Sequence, residues 1–268
     1  MTAFQPPAAR RPTTHPASKS RGANIVTVAS GKGGVGKTWL AITLAHAFAR
    51  NGRHALLFDG DLGLANADIQ LGLMPETDLG AVVAGKLRLD QAISAVDAGG
   101  FDIVAGKSGS GALATMHPDR LATLRDDLID VAANYEAVIL DLGAGIDGAV
   151  RTLADNAGPK LVVTTAEPTA LTDAYAFIKV VNSRQPGADL RVVVNMAANS
   201  KEGERTYNKL LKACQGFLRI RPPLAGIIRS DPNIPDAIRH QTPLLTRHPS
   251  TPAAGDVEAM IGRLRILS

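Results

Sequence analysis

The residues with the clearest chemistry are Gly31-Lys32-Gly33-Gly34-Val35-Gly36-Lys37-Thr38. They satisfy G-x-x-x-x-G-K-[ST], between a β-rich run at Ile25-Val26-Thr27-Val28 and a segment of helical period, the context a phosphate-binding P-loop requires. Gly31, Gly33, Gly34 and Gly36 let the backbone turn tightly and aim N–H groups at phosphate oxygens. The helix that follows adds its positive end. Lys37 can reach β- and γ-phosphates, and the Thr38 hydroxyl can bind Mg²⁺, so the loop points to a magnesium nucleotide. Val35 and Trp39 complete the candidate cradle. Lys32 is a second lysine that the general pattern does not demand.

Acidic residues follow at two stations. Leu56-Leu57-Phe58-Asp59-Gly60-Asp61 closes one apolar run, and Ala137-Val138-Ile139-Leu140-Asp141 closes another. A carboxylate at the carboxyl end of a buried strand, beside the phosphate loop, lies where a metal's water shell needs one. Asp141 is the stronger Walker B candidate because four apolar residues precede it, with Asp59 supporting the metal from a neighbouring strand. Asp61 either orients an attacking water or caps a turn; its spacing allows both. Gly143 and Gly145 read as a phosphate-sensing loop or a plain tight turn.

These groups need a scaffold, and the chain supplies one. Strands are expected at 25–29, 55–58, 101–104, 137–140, 161–165, 191–195 and 224–228. Helices are expected at 37–51, 119–133, 171–182, 203–215, 234–240 and 255–267. Gly52 suits the left-handed residue just past the first helix. Near-continuous apolar strands alternating with helices give the α/β class, a mainly parallel twisted sheet with helices on both faces. The 268 residues suffice for one such domain, taken as 24–268. Residues 1–23, with four prolines and no acid, read as a disordered basic tail.

The lone Cys214 excludes a disulfide framework, and no apolar run is long enough to span a bilayer. With no secretory h-region, a cytoplasmic protein is expected. Charge is uneven: residues 1–24 carry +4, 25–200 carry −5 and 201–268 carry +5. The basic last third is either a solvated surface or a meeting place for phosphates.

The Lys32-Gly33-Gly34-Val35-Gly36-Lys37-Thr38 run resembles the deviant Walker A motif of the MinD/ParA class. Asp59-Gly60-Asp61-Leu62-Gly63-Leu64-Ala65-Asn66-Ala67-Asp68 and the stretch Glu167 to Lys179 are similar to the FlhG (FleN) branch, which regulates flagellar number. Val194-Asn195-Met196-Ala197 adds to the likeness, which covers roughly residues 25–265. The resemblance implies an ATPase that closes as an ATP-bound homodimer and reopens on hydrolysis. By it, Lys32 reaches the partner's nucleotide, Lys37 and Thr38 hold phosphate and Mg²⁺, Asp61 positions water, and Asp59 and Asp141 act on the metal. Asn195 and the segment around Asp231 flank the adenine. Implied partners are the GTPase FlhF or a flagellar transcription factor, with possible peripheral contact to the inner membrane face.

Trp39, Leu142-Gly143 and Arg229 depart from the family pattern. Two other readings stay open: a ParA-type ATPase riding nonspecific DNA on the basic last third, and a nucleotide-dependent adaptor with weakened hydrolysis. The last helix, with Val257, Met260, Ile261, Leu264 and Leu267 at helical spacing, fits either core packing or weak lipid contact.

Overall fold

The computed structural model describes residues 21–61, 63–106 and 116–264. Most of the expected tail and Leu267 therefore lie outside the described residues; 21–24 form a turn closed by the Ile25 N–H donating to the Gly22 carbonyl. Eight strands form one sheet: β1 (Ile25–Ser30), β2 (Ala55–Gly60), β3 (Ile93–Val96), β4 (Phe101–Val104), β5 (Ala137–Ala144), β6 (Lys160–Thr164), β7 (Leu190–Ala197) and β8 (Leu224–Arg229). Their order is β3-β4-β2-β5-β1-β6-β7-β8, parallel throughout except for β3 against β4.

Ten α-helices cover it: α1 (Lys37–Arg50), α2 (Ala67–Leu71), α3 (Leu79–Val83), α4 (Pro118–Ala132), α5 (Gly148–Leu153), α6 (Pro168–Arg184), α7 (Ser200–Ala213), α8 (Asn233–Arg239), α9 (Leu244–Arg247) and α10 (Pro252–Leu264), counted among the described residues. The strand pleat sorts the core in two. Leu57 and Ile139 pack under α1 and α10, while Leu56, Phe58, Val138 and Leu140 pack under α4 and α6. α10 spends Val257, Met260 and Leu264 on the sheet. Among the described residues no helix is long and apolar enough to cross a membrane.

The structure corrects the expected elements in three places. β5 runs to Ala144 rather than ending at Leu140, because Leu142 is fully buried opposite Gly60 and Ala144 pairs with Ser30. β3 was not expected: Ile93-Ser94-Ala95-Val96 is short and partly exposed, and it gains its ladder only by turning back on β4. The short helices α2, α3, α5 and α9 are four to six residues long, too few for a periodic signal.

The start of β6 lies tight against β1. A Cβ on Gly158 would sit 1.9 Å from the Ile25 carbonyl oxygen, whereas one on Gly148 would meet nothing within 4 Å. Gly158→Ala is therefore expected to destabilise the fold by about 1–3 kcal/mol, by overpacking against backbone that cannot move aside. Gly148→Ala, at the first position of α5, should leave stability unchanged or raise it by up to about 1 kcal/mol. Urea unfolding of the two variants beside the wild type measures the difference.

Candidate functional site

The sheet order fixes what can meet at the loop. β1 is central, and the chain turns from it through Gly31–Gly36 into α1. Ser30 donates its hydroxyl to the Lys32 carbonyl at 2.6 Å, which starts the turn. Gly31 lies against the backbone of Asp173 in α6, Gly33 and Gly34 are exposed, and Val35 is buried. Gly36 has φ of 85° and caps α1; a Cβ there would lie 2.4 Å from the Asn195 side-chain amide. Both the dihedral and the close approach therefore demand glycine. With no side chain capping α1, its first free N–H groups face the loop as an anion site.

Lys37 is buried in the first turn of α1 and Thr38 is half-buried. Burial lowers the Lys37 pKa, opposed by the charges of Asp141 and Asp61. Trp39 is buried, its indole N–H has no hydrogen-bond acceptor, and its carbonyl accepts from the Thr43 hydroxyl at 2.8 Å.

The acids fall to one side of the loop. Asp59 on β2 and Asp141 on β5 are register partners on adjacent strands, 0% and 1% exposed. Asp59 accepts from the N–H groups of Asp61 and Ala67 at 3.3 and 3.1 Å. Neither oxygen of Asp141 has a well-formed hydrogen bond, although the Thr38 hydroxyl lies close enough to favour its charged form. Both pKa values are pushed up by burial; for Asp141 the charge on Asp59 comes next. Asp61 takes the turn role that its spacing allowed: its Oδ1 accepts from the N–H groups of Gly63 and Leu64, and its carboxylate lies against Gly143.

An orphaned buried carboxylate beside a buried lysine and a threonine is a donor set that fits a hard divalent cation. Mg²⁺ takes one or two carboxylates and completes its shell with phosphate oxygens and water. Among the described residues no group of three or more His, Cys, Asp or Glu side chains is placed to hold a metal ion.

The other side of the loop is built from β7 and β8. Asn195, buried near the end of β7, donates from Nδ2 to the Val35 carbonyl at 2.8 Å and leaves Oδ1 unpartnered. The next residue, Met196, is half-exposed with φ of 56°, a conformation that costs a non-glycine residue about 1–3 kcal/mol and clusters at functional sites. Asp231 is buried beyond β8 and spends its oxygens on Asn233 and the Ala253 N–H. Arg229 binds both oxygens of Asp256 on α10 at 2.9 Å, so this departure ties β8 to the last helix. The acids Asp59 and Asp141 thus stand on the β2–β5 side of the loop, and Asn195, Met196 and Asp231 on the β7–β8 side.

Residues 26–244 match the CobQ/CobB/MinD/ParA nucleotide binding domain. The chain belongs to the MinD/ParA family. It is 35% identical over 230 residues to the antiactivator FleN of Pseudomonas aeruginosa, covering 86% of this chain and 82% of that one. It is 32% identical to the flagellum site-determining protein YlxH of Helicobacter pylori, covering 71% of this chain and 64% of the relative. The fold matches the septum site-determining protein MinD of Pyrococcus horikoshii, solved with Mg-ADP, with a TM-score of 0.76, 23% identity, and 90% and 95% of the two chains covered.

In this MinD/ParA protein Lys32 makes contacts that the sequence did not reveal. Its Nζ donates to Glu167 Oε2 at 2.5 Å and to Thr169 Oγ1 at 3.0 Å. Glu167 caps α6 and Thr169 sits in its first turn. Both were visible in the stretch that resembles FlhG, yet the contact spans 135 residues and no local spacing announces it.

The buried acids carry a sign that can be measured. Their folded pKa values lie above the unfolded ones, so at low pH both are protonated without penalty, and stability is lost as pH rises through the folded values. The nucleotide-free protein should lose thermal stability between about pH 4 and pH 8, the range spanned by the ordinary carboxylate value and Asp141 at about 8. Asp141→Asn should flatten that slope and raise the melting temperature at pH 8, read by scanning calorimetry across the range.

Proposed function

We propose that this chain is a slow Mg²⁺-dependent ATPase whose ATP-bound state is a homodimer, acting as a switch in the placement or number of flagella. The observation that carries the reading is the division of labour between two lysines. Lys37 is buried in the loop beside Asp141 and suited to its own nucleotide; Lys32 is partly exposed and held by α6. A cation outside its own phosphate site has a use if the γ-phosphate it serves belongs to a second copy.

Chemically, phosphoryl transfer needs positive charge around the γ-phosphate and an oriented water. Mg²⁺, which Thr38 and Asp141 would hold, would supply positive charge beside the phosphates. Lys37 and the first N–H groups of α1 hold the phosphates, Thr38 and Asp141 face the metal position, and Asp59 supports Asp141 from the adjacent strand. Asp61 orients the water once its carboxylate leaves the Gly63 and Leu64 N–H groups. Asn195 Oδ1, a buried acceptor without a donor, suits the adenine amino group. A lysine donated across the interface makes hydrolysis conditional on dimerisation, so ATP stabilises one state selectively.

The antiactivator and site-determining relatives support the flagellar role. We place its action in the cytoplasm or at the inner membrane face, through partners such as the GTPase FlhF or a flagellar transcription factor. A second reading has its own support: Lys201, Arg205, Lys209 and Lys212 lie exposed along α7, and none makes an ion pair or hydrogen bond among the described residues. That stripe suits a DNA backbone, and ATP-dependent, salt-sensitive retention on nonspecific DNA would favour the ParA-type role.

Light scattering after size exclusion, in ATP and Mg²⁺, tests the switch. Asp61→Ala should run at twice the monomer mass, and Lys32→Ala should remain a monomer. Phosphate release should fall at least about 10²-fold in both variants relative to the wild type. Equal rates in wild type and Asp61→Ala would favour an adaptor that does not hydrolyse, and a monomeric Asp61→Ala would overturn the dimer.

A further inference from the structure

The turn after α8 holds a side chain where glycine would sit more easily. Gln241 has φ of 51°, and the N–H groups of Gln241 and Thr242 donate to the Ile238 and Ala237 carbonyls at 3.0 and 3.1 Å. This is the left-handed residue just past a helix, where a Cβ costs free energy and glycine is the usual occupant. Gln241 is exposed, so core packing does not account for its side chain. The side chain instead reaches another element. Its Nε2 donates to the Ile69 carbonyl of α2 at 3.1 Å, a carbonyl that otherwise accepts the Gly72 N–H at 3.3 Å. Its carbons lie over Gly72, where an added Cβ would come within 2.9 Å of the Gln241 Cβ.

The helix it reaches, α2, is five residues long and gripped at both ends. At its start the Ala67 N–H donates to Asp59 Oδ2 at 3.1 Å, and near its end Gln241 binds the Ile69 carbonyl. A helix this short does not hold itself, so these two bonds and the burial of Ala67 and Leu71 decide where it lies. The turn that carries Gln241 is itself fixed. Asp236 on α8 meets Arg247 Nε at 2.7 Å and His248 Nε2 at 2.8 Å, which clamps α9 to α8. At the other end of α8, Asp231 accepts from the Asn233 N–H at 2.9 Å. A braced path therefore runs from Asp231 beyond β8, through α8 and Gln241, to α2 and the carboxylate of Asp59 on β2. Those two strands stand five places apart in the sheet, about 24 Å at ~4.8 Å per strand.

We infer that Gln241 is a positioning residue: by holding α2 it keeps Asp59 bonded to Ala67 beside Asp141, and so ties the acids to the β7–β8 side of the phosphate loop. Without its amide, α2 is hydrogen-bonded to Asp59 at one end and released at the other, and the carboxylate follows a helix that drifts. The effect on turnover rests on the ATPase reading above; the hold on α2 does not.

Three variants of the full-length chain test this. Gln241→Gly removes the amide while easing the backbone, Gln241→Glu keeps the length but cannot donate, and Gln241→Arg restores a donor with sufficient reach. Hydrogen–deuterium exchange of the nucleotide-free protein over residues 66–73 should be about 5-fold faster in the Gly and Glu variants and close to wild type in the Arg variant. The melting temperature of Gln241→Gly should stay close to that of the wild type, since the eased backbone offsets the lost bond. In ATP and Mg²⁺, kcat for phosphate release should fall about 5-fold in the Gly and Glu variants with KM within about 2-fold, and recover in the Arg variant. Unchanged exchange in Gln241→Gly would overturn the hold on α2, and faster exchange with unchanged kcat would overturn the positioning role. A wild type that releases no phosphate would instead overturn the ATPase reading, and exchange alone would then decide whether Gln241 holds α2.

Discussion

Two carboxylates buried side by side govern the site. Asp59 and Asp141 are register partners on neighbouring strands, shielded from water, and the charge of Lys37 favours the ionised form of Asp141. Removing an ion from water costs several kcal/mol, and pairing like charges adds to that. A proton removes that cost at low pH, and a divalent cation would offset it at higher pH. The rest of the fold follows: the parallel order places β2 and β5 on one flank of β1, and the glycine turn brings α1's positive end to the same edge.

The opposite flank answers a different need. Asn195 grips the loop through the Val35 carbonyl, and Asp231 and Arg229 brace the end of β8 against α10. These are positioning bonds, keeping a floor rigid while one acceptor, Asn195 Oδ1, stays available. Met196 adds local strain at the same spot. A braced β7–β8 side and an acidic β2–β5 side leave the two flanks of the loop chemically unlike.

Much of this was legible in the residues. The phosphate loop reads directly because its glycines, lysine and threonine are constrained by local backbone geometry. Asp141 reads from the four apolar residues before it, since a buried strand announces itself by composition. The end of β5 was misjudged because Gly143 looks like a turn; only the pairing of Ala144 with Ser30 shows the strand continuing. β3 was hidden because its ladder depends on β4 more than on its own sequence. The Lys32–Glu167 contact was hidden for the same reason on a larger scale, being a product of the fold that brings α6 over the loop. For Asp61, the water-orienting and turn-capping roles share one spacing, and the structure shows the capping bonds.

The antiparallel β3 has a consequence of its own. A parallel sheet left open at its border offers unpaired backbone to any passing strand, and growth at that border is how such proteins precipitate. Here the border is a four-residue reversed strand, too brief and too polar at Ser94 to template another. On that side of the sheet, opposite the β8 border, the chain is thereby denied the cheaper, indiscriminate route of adding strands edge to edge.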